Sequence, residues 1–230
     1  MARIKYSALV SDMRNKLNGS VMSKNRAGSY VRNKVTPVNP QSPFQQAVRQ
    51  RLGALSTGWS GLTEQQRQTW IAATPNFPYT DIFGDKKELD GKSLFIKLNS
   101  NLANVGSAQI NVAPAPVGIP VFGIESAIAT LGAGVDSFDL TFTSATVPAG
   151  FAVAVYATPP VKAGVSFVKN KFRYLGTTTV TAGAADIASL YNARFAVSGN
   201  LSELIHVRVA LVSTTTGQMG VPTGVIAENA

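Results

Sequence analysis

Residues 19–55 read GSVMSKNRAGSYVRNKVTPVNPQSPFQQAVRQRLGAL, a basic, strand-like run that crosses two X-Pro units into the start of a helix. Around it the charge is uneven. The first 53 residues hold ten Lys or Arg against one acid, Asp12, a net of +9, whereas residues 54–230 hold eleven of each sign. The formal charge of the whole chain therefore lies in its first quarter, which assigns an acidic partner to that part and a different task to the rest.

Within this stretch, Arg26-Ala27-Gly28 separates two strand-like runs, 20–23 and 29–35, and predicts a loose hairpin. Large apolar residues are too few over 1–38 for a core. An extended basic arm over 1–40, mobile alone and ordered by the surface it lies on, is the expectation. Pro37 and Pro40 hold their preceding residues extended and mark the end of the arm.

Ser42, Pro43 and Gln45 then supply an N-cap, a first-turn proline and a capping partner. The helix they start carries Phe44, Val48, Leu52 and Leu55 as one apolar stripe, with Arg49 and Arg51 off it and Gly58 and Gly61 at its end. Thr63 and Gln66 predict a capping box for a second helix, which Pro75 stops. Trp59, Leu62, Trp70 and Ile71 would close the helical hairpin. After an exposed loop over 76–90, Leu94, Leu98, Leu102 and Val105 predict a third helix over 93–105 with its stop at Gly106. The helical module thus spans 41–106, and Pro114, Pro116, Gly118 and Pro120 make 107–121 a stiff linker.

From residue 122 the pattern turns to period two. Strands are expected at 137–143, 151–157, 172–179, 204–211 and 220–226, with a helical turn at 184–191. Helices first and strands later, without alternation, give an α+β chain: arm, helical module, and an antiparallel β-sandwich of roughly seven strands, immunoglobulin-like, over 122–230.

Candidate chemistry is sparse. The sequence has no Cys and one His, His206, which sits between Ile205 and Val207 in an expected strand. That removes thiolate chemistry and the common zinc modules and leaves little for a base. Gly91-Lys92-Ser93 lacks the first glycine and the preceding strand of a phosphate loop, so a helix start is the better reading. Gly132-Ala133-Gly134 reads as a turn. Asp81, Asp85, Glu88 and Asp90 miss the spacing of a calcium loop and read as a solvated stretch. No apolar run reaches the roughly 20 residues that span a bilayer, no secretory h-region is seen near residue 1, and the sequons at Asn18 and Asn200 carry no weight without secretion. No catalytic residue, cofactor or metal is expected.

The binding candidates are the arm and first-helix residues Arg14, Lys16, Lys24, Arg26, Tyr30, Arg32, Lys34, Arg49 and Arg51. Their dispersion along a strand-like pattern, with no dense run, favours an acidic protein surface over nucleic acid, which ranks second.

A further set of residues carries a resemblance: Asn25-Arg26-Ala27-Gly28, Pro37-Val38-Asn39-Pro40, Gln46 with Arg49, Trp59 with Leu62-Thr63, Gln66-Arg67 with Trp70, and Leu94-Phe95 with Asn99. Over roughly the first 105 residues the chain resembles a recurrent virion protein of tailed bacteriophages, especially those of Bacteroidetes hosts, crAss-like phages included. The β-rich remainder resembles the immunoglobulin-like modules that such phages append to capsid and tail proteins. The resemblance implies a non-enzymatic structural subunit located in the virion and does not settle head against tail; the charge asymmetry and the two-module layout point to an auxiliary or decoration protein on the capsid, with a tail or connector component and a packaged, nucleic-acid-binding protein as alternatives. Implied partners are the major capsid protein, other virion subunits and copies of itself, with no membrane.

Overall fold

The computed structural model describes residues 2–131, 135–195 and 203–229. Four antiparallel strands come first: β1 (Ala2–Ile4), β2 (Asn15–Leu17), β3 (Ser20–Asn25) and β4 (Gly28–Asn33), in the order β1-β4-β3-β2. The expected hairpin is present. Asn25 faces Gly28 across the loop Arg26-Ala27, the Asn25 side chain accepts the Ala27 N–H at 3.0 Å, and Gly28 takes φ +110°, where a β-carbon is strained. What differs is its setting. β1 and β2 flank the hairpin, so these residues satisfy their backbone groups within one small sheet and do not form an extended ribbon.

Helix α1 (Pro43–Gly61) starts where the cap chemistry places it, with Ser42 accepting the Gln45 N–H at 3.4 Å. It runs through Gly58. Helix α2 (Glu64–Ala73) opens on the Thr63/Gln66 capping box, both bonds made, and yields at Pro75 to a 3₁₀ turn. A two-rung hairpin, β5 (Tyr79–Thr80) and β6 (Lys86–Lys87), precedes helix α3 (Gly91–Asn104). Gly91 lets the start of α3 approach α2, since a β-carbon there would lie 2.9 Å from the Ile71 side chain. Gly106, at φ +73°, ends α3 with the Ser107 N–H bonded to the Leu102 carbonyl at 2.9 Å.

The helical core is built on Leu55, Leu62, Trp70, Phe77, Leu94, Phe95 and Leu98. Trp70 stands edge-on to Phe95 at 5.3 Å and donates its indole N–H to the Asn111 carbonyl at 2.9 Å. Both tryptophans are core-facing, Trp59 at its margin. The expected stripe on α1 divides: Leu55 is buried, whereas Phe44, Val48 and Leu52 are 49%, 63% and 52% exposed. α2 and α3 cover the second half of α1, and its first half overhangs them.

Residues 105–123 carry neither helix nor strand, yet they are pinned. Buried Asn99 bonds Ile110 twice, through its N–H at 2.8 Å and its carbonyl at 3.1 Å, and Thr69 Oγ1 accepts the Ala113 N–H at 3.2 Å.

The β-rich part comprises β7 (Ile124–Leu131), β8 (Val135–Phe142), β9 (Phe151–Ala157), β10 (Val161–Lys162), β11 (Arg173–Thr178), β12 (Ala184–Asp186), helix α4 (Ala188–Arg194), β13 (Glu203–Ser213) and β14 (Thr223–Asn229). Strand order is β11-β9-β13-β14-β7-β8-β12, with β10 on β13; every pairing is antiparallel except β14 with β7. One buried cluster draws on β7, β8 and β12 and equally on β9, β13 and β14. The expected helical turn at 184–191 divides into β12 and α4, and Asp186 joins them, its side chain accepting the N–H groups of Phe138 and Ala188. Tyr191 of α4 is fully buried and donates its hydroxyl to the Thr158 carbonyl at 2.9 Å.

The helical and β-rich parts interlock. Asn101 donates to the Gly217 carbonyl at 2.8 Å and Tyr174 donates its hydroxyl to the Asn104 carbonyl at 2.6 Å. Gly217 has φ +71°, and a β-carbon on it would lie 2.2 Å from the Leu98 carbonyl oxygen. Only glycine fits there.

Candidate docking surface

Register sorts the N-terminal sheet into two faces, because directly paired residues project to the same side. The pairs Ile4↔Ser29, Ala2↔Val31, Met22↔Val31 and Leu17↔Ser20 put Ile4, Leu17, Met22 and Val31 on one face, with Lys24 among them. On the other face, Arg3↔Tyr30, Ser23↔Tyr30, Lys16↔Val21 and Val21↔Arg32 gather Arg3, Lys16, Tyr30 and Arg32. One face is apolar and the other cationic. Neither is covered: from Ala2 to Ala54 no residue is buried.

Two hairpins meet at the body. Asp81, whose side chain has no exposed surface, accepts from Arg3 at 3.0 Å and Lys87 at 2.8 Å, and from the N–H groups of Phe83 and Asp85. The Lys87 ammonium beside it, backed by those amides, holds its carboxyl down at about 2 against its desolvation. Lys87 also donates to the Ala27 carbonyl at 3.0 Å, at the tip of the β3–β4 hairpin. Lys5 pairs with Asp85 at 3.2 Å and lies over the Phe83 ring. Among the described residues, every hydrogen bond and ion pair between the N-terminal sheet and the body runs through Asp81, Asp85 and Lys87. The stretch read as solvated is a clasp. Arg3 and Lys5, outside the predicted set, are its arm-side ligands.

The predicted binding residues separate accordingly. Lys16, Lys24, Arg26, Arg32, Lys34 and Arg49 are exposed and make no ion pair among the described residues; Tyr30 is half-buried on the cationic face. Arg14 is held by its own neighbour Asp12 at 2.8 Å. Arg51 bonds the Asn104 side chain and ties α1 to the end of α3. Two of the nine thus have internal partners.

Beside Arg51 the overhanging half of α1 presents Phe44, Val48 and Leu52, with the Arg194 guanidinium 3.4 Å over the Phe44 ring. Since each is about half exposed, covering what remains would be worth roughly 1 kcal/mol apiece, half of the full-burial value. The alternation of the sheet and the Asn18-Gly19 turn were the signals for β1–β2 and for the apolar face; nothing in sequence spacing ties residue 3 to residue 81.

Other candidates have structural roles. Gly91-Lys92-Ser93 is the first turn of α3. His206 lies on β13 with its backbone N–H on Thr158 Oγ1 at 3.1 Å, and burial, helped by Arg208, pushes its imidazole below its ordinary value. Among the described residues no three His, Asp or Glu gather as metal ligands, and no helix is long and apolar enough to cross a membrane. Gly132-Ala133-Gly134 and the Asn200 sequon lie outside the described residues. What the geometry provides is a small sheet, cationic on one side and apolar on the other, joined by an exposed segment to a half-exposed apolar stretch at the start of α1. No protein-family model, curated protein or solved structure matches the chain.

Proposed function

We propose that this chain is a non-enzymatic virion structural subunit of a tailed phage, an auxiliary or decoration protein that docks on capsid subunits through its N-terminal sheet and the first half of α1. The observation that carries this reading is that residues 2–53, with four strands, the first half of α1 and a net charge of +9, contain no buried residue. A sheet with two solvated faces is marginal alone. An acidic neighbour would pair with Lys16, Arg26 and Arg32 while covering Phe44, Val48 and Leu52, and assembly in many copies multiplies modest contacts.

The β-rich part is read as an immunoglobulin-like sandwich. In this reading β11-β9-β13-β14 would be one layer and β12-β8-β7 the other, with the parallel β14–β7 pair between them; the single buried cluster drawn from both sets of strands supports it. Docked through α3, it would project from the shell or reach adjacent subunits.

The test is incorporation. A variant with Lys16, Lys24, Arg26 and Arg32 changed to Glu should fold, with an unchanged thermal transition, and be missing from purified particles. Incorporation at wild-type stoichiometry would overturn the reading. Binding of the wild-type protein to duplex DNA with a log–log salt slope set by several phosphates would favour the packaged, nucleic-acid-binding alternative.

A further inference from the structure

We infer that the N-terminal sheet is exchangeable between copies of this chain: closed on its own body when the chain is alone, it seats in the Asp81 clasp of another copy where copies are held side by side. The inference does not rest on the virion reading; its partner is a second copy.

Three observations carry it. The sheet is attached to its own body by polar contacts at one small hairpin, Arg3 and Lys5 on Asp81 and Asp85 and Lys87 on the Ala27 carbonyl, with no buried apolar residue in the sheet. Such contacts form equally well with an identical hairpin from another molecule. Next, residues 34–41 connect the sheet to α1 with every side chain exposed and without helix or strand. Pro37 and Pro40 favour extended backbone, so eight residues reach up to about 27 Å and carry the sheet clear of its own clasp. Finally, Asp81 seats a second cation beside Lys87. Its side chain has no exposed surface with Arg3 in place, and its carboxylate stays charged above pH about 2, so a vacated clasp favours recapture of an arm, whichever copy supplies it.

Exchange replaces each contact by its own duplicate, so its only cost is association, the condition under which swapping an identical element is cheap. Where copies are held side by side, effective concentration offsets that cost. Of the cationic face the clasp engages Arg3; Lys16, Tyr30 and Arg32 make no hydrogen bond or ion pair with Asp81 or Asp85 and stay open to other partners.

Complementary charge reversal tests this on the full chain. One variant carries Arg3→Asp, the other Asp81→Arg; each mismatches its own clasp, while an equal mixture restores both pairings across two molecules. By light scattering after size exclusion, each variant alone should be monomeric, the mixture should give a 1:1 dimer with affinity at least roughly ten-fold above either self-association, and R3D and D81R in one chain should restore the closed monomer. Because Asp81 also orders its hairpin through the Phe83 and Asp85 amides, the exposed pair Lys5→Asp with Asp85→Lys provides a second cycle, in which mixing should strengthen association about three-fold. A monomeric mixture in both cycles would overturn the inference, as would dimers of equal strength in every single variant.

Discussion

Residues 2–54 and residues 55–229 follow different economies. The second region hides Trp70, Phe95, Phe138, Leu140 and Tyr191 completely, and its polar atoms are placed to serve that packing. The first is organised only by backbone pairing, capping and a few ion pairs, and all its side chains meet solvent. Hydrophobic burial supplies most folding free energy, so the two regions should respond to substitution on different scales. A well-packed body carries an ordered but unburied extension.

That contrast is open to breakage in several places. The largest effect should come from Trp70→Ala, which empties the centre of the helical core and leaves the Asn111 carbonyl unpartnered: about 3–5 kcal/mol lost in urea unfolding. A loss near zero would mean that this core is not where stability resides. Gly217→Ala should follow at about 2–4 kcal/mol, because it forces both a strained φ and a clash with α3. Its signature is distinctive. If the interlock is broken, calorimetry should resolve two transitions where the wild type gives one.

Smaller still, and confined to the first region, is the effect of acid on the clasp. The Asp81 carboxyl sits at about 2 in the folded chain, below its ordinary 3.8. Its contribution is therefore complete above pH about 4 and is lost as pH falls through about 2. Amide exchange along β1 should accelerate over that window before exchange in α3 does, and simultaneous acceleration would deny the clasp a local role. The smallest effect is expected from Met22→Ser, on the open apolar face: below about 0.5 kcal/mol in the isolated protein. A loss of several kcal/mol there would show that the face is already covered.

Local signals were legible in the sequence where one segment contains its own physics. Ser42-Pro43, the Thr63/Gln66 box, Gly106 and the bounds of β9 all appear where spacing and capping place them. β7 escaped because its inward positions, Ala127 and Ala129, are small and make a weak alternation. The stripe on α1 misled for a different reason. Periodicity shows that a face is apolar and cannot say whether this chain supplies its cover, so Phe44, Val48 and Leu52 read like core and lie in solvent. The clasp needed the fold itself, since Arg3 and Asp81 meet across 78 residues.

The parallel pairing of β7 with β14 sets how the β-rich part answers to force. In a parallel pair the entry of one strand and the exit of the other point to opposite ends, so tension between residues 123 and 229 pulls along the Glu228↔Ile128 and Asn229↔Ala129 rungs and loads them together in shear. Antiparallel neighbours such as β13 and β14, pulled at their free ends, would be peeled open one rung after another toward the connecting turn, Ile205↔Ala227 first. Tension applied at residues 123 and 229 should therefore be resisted more strongly than the same tension applied across β13 and β14.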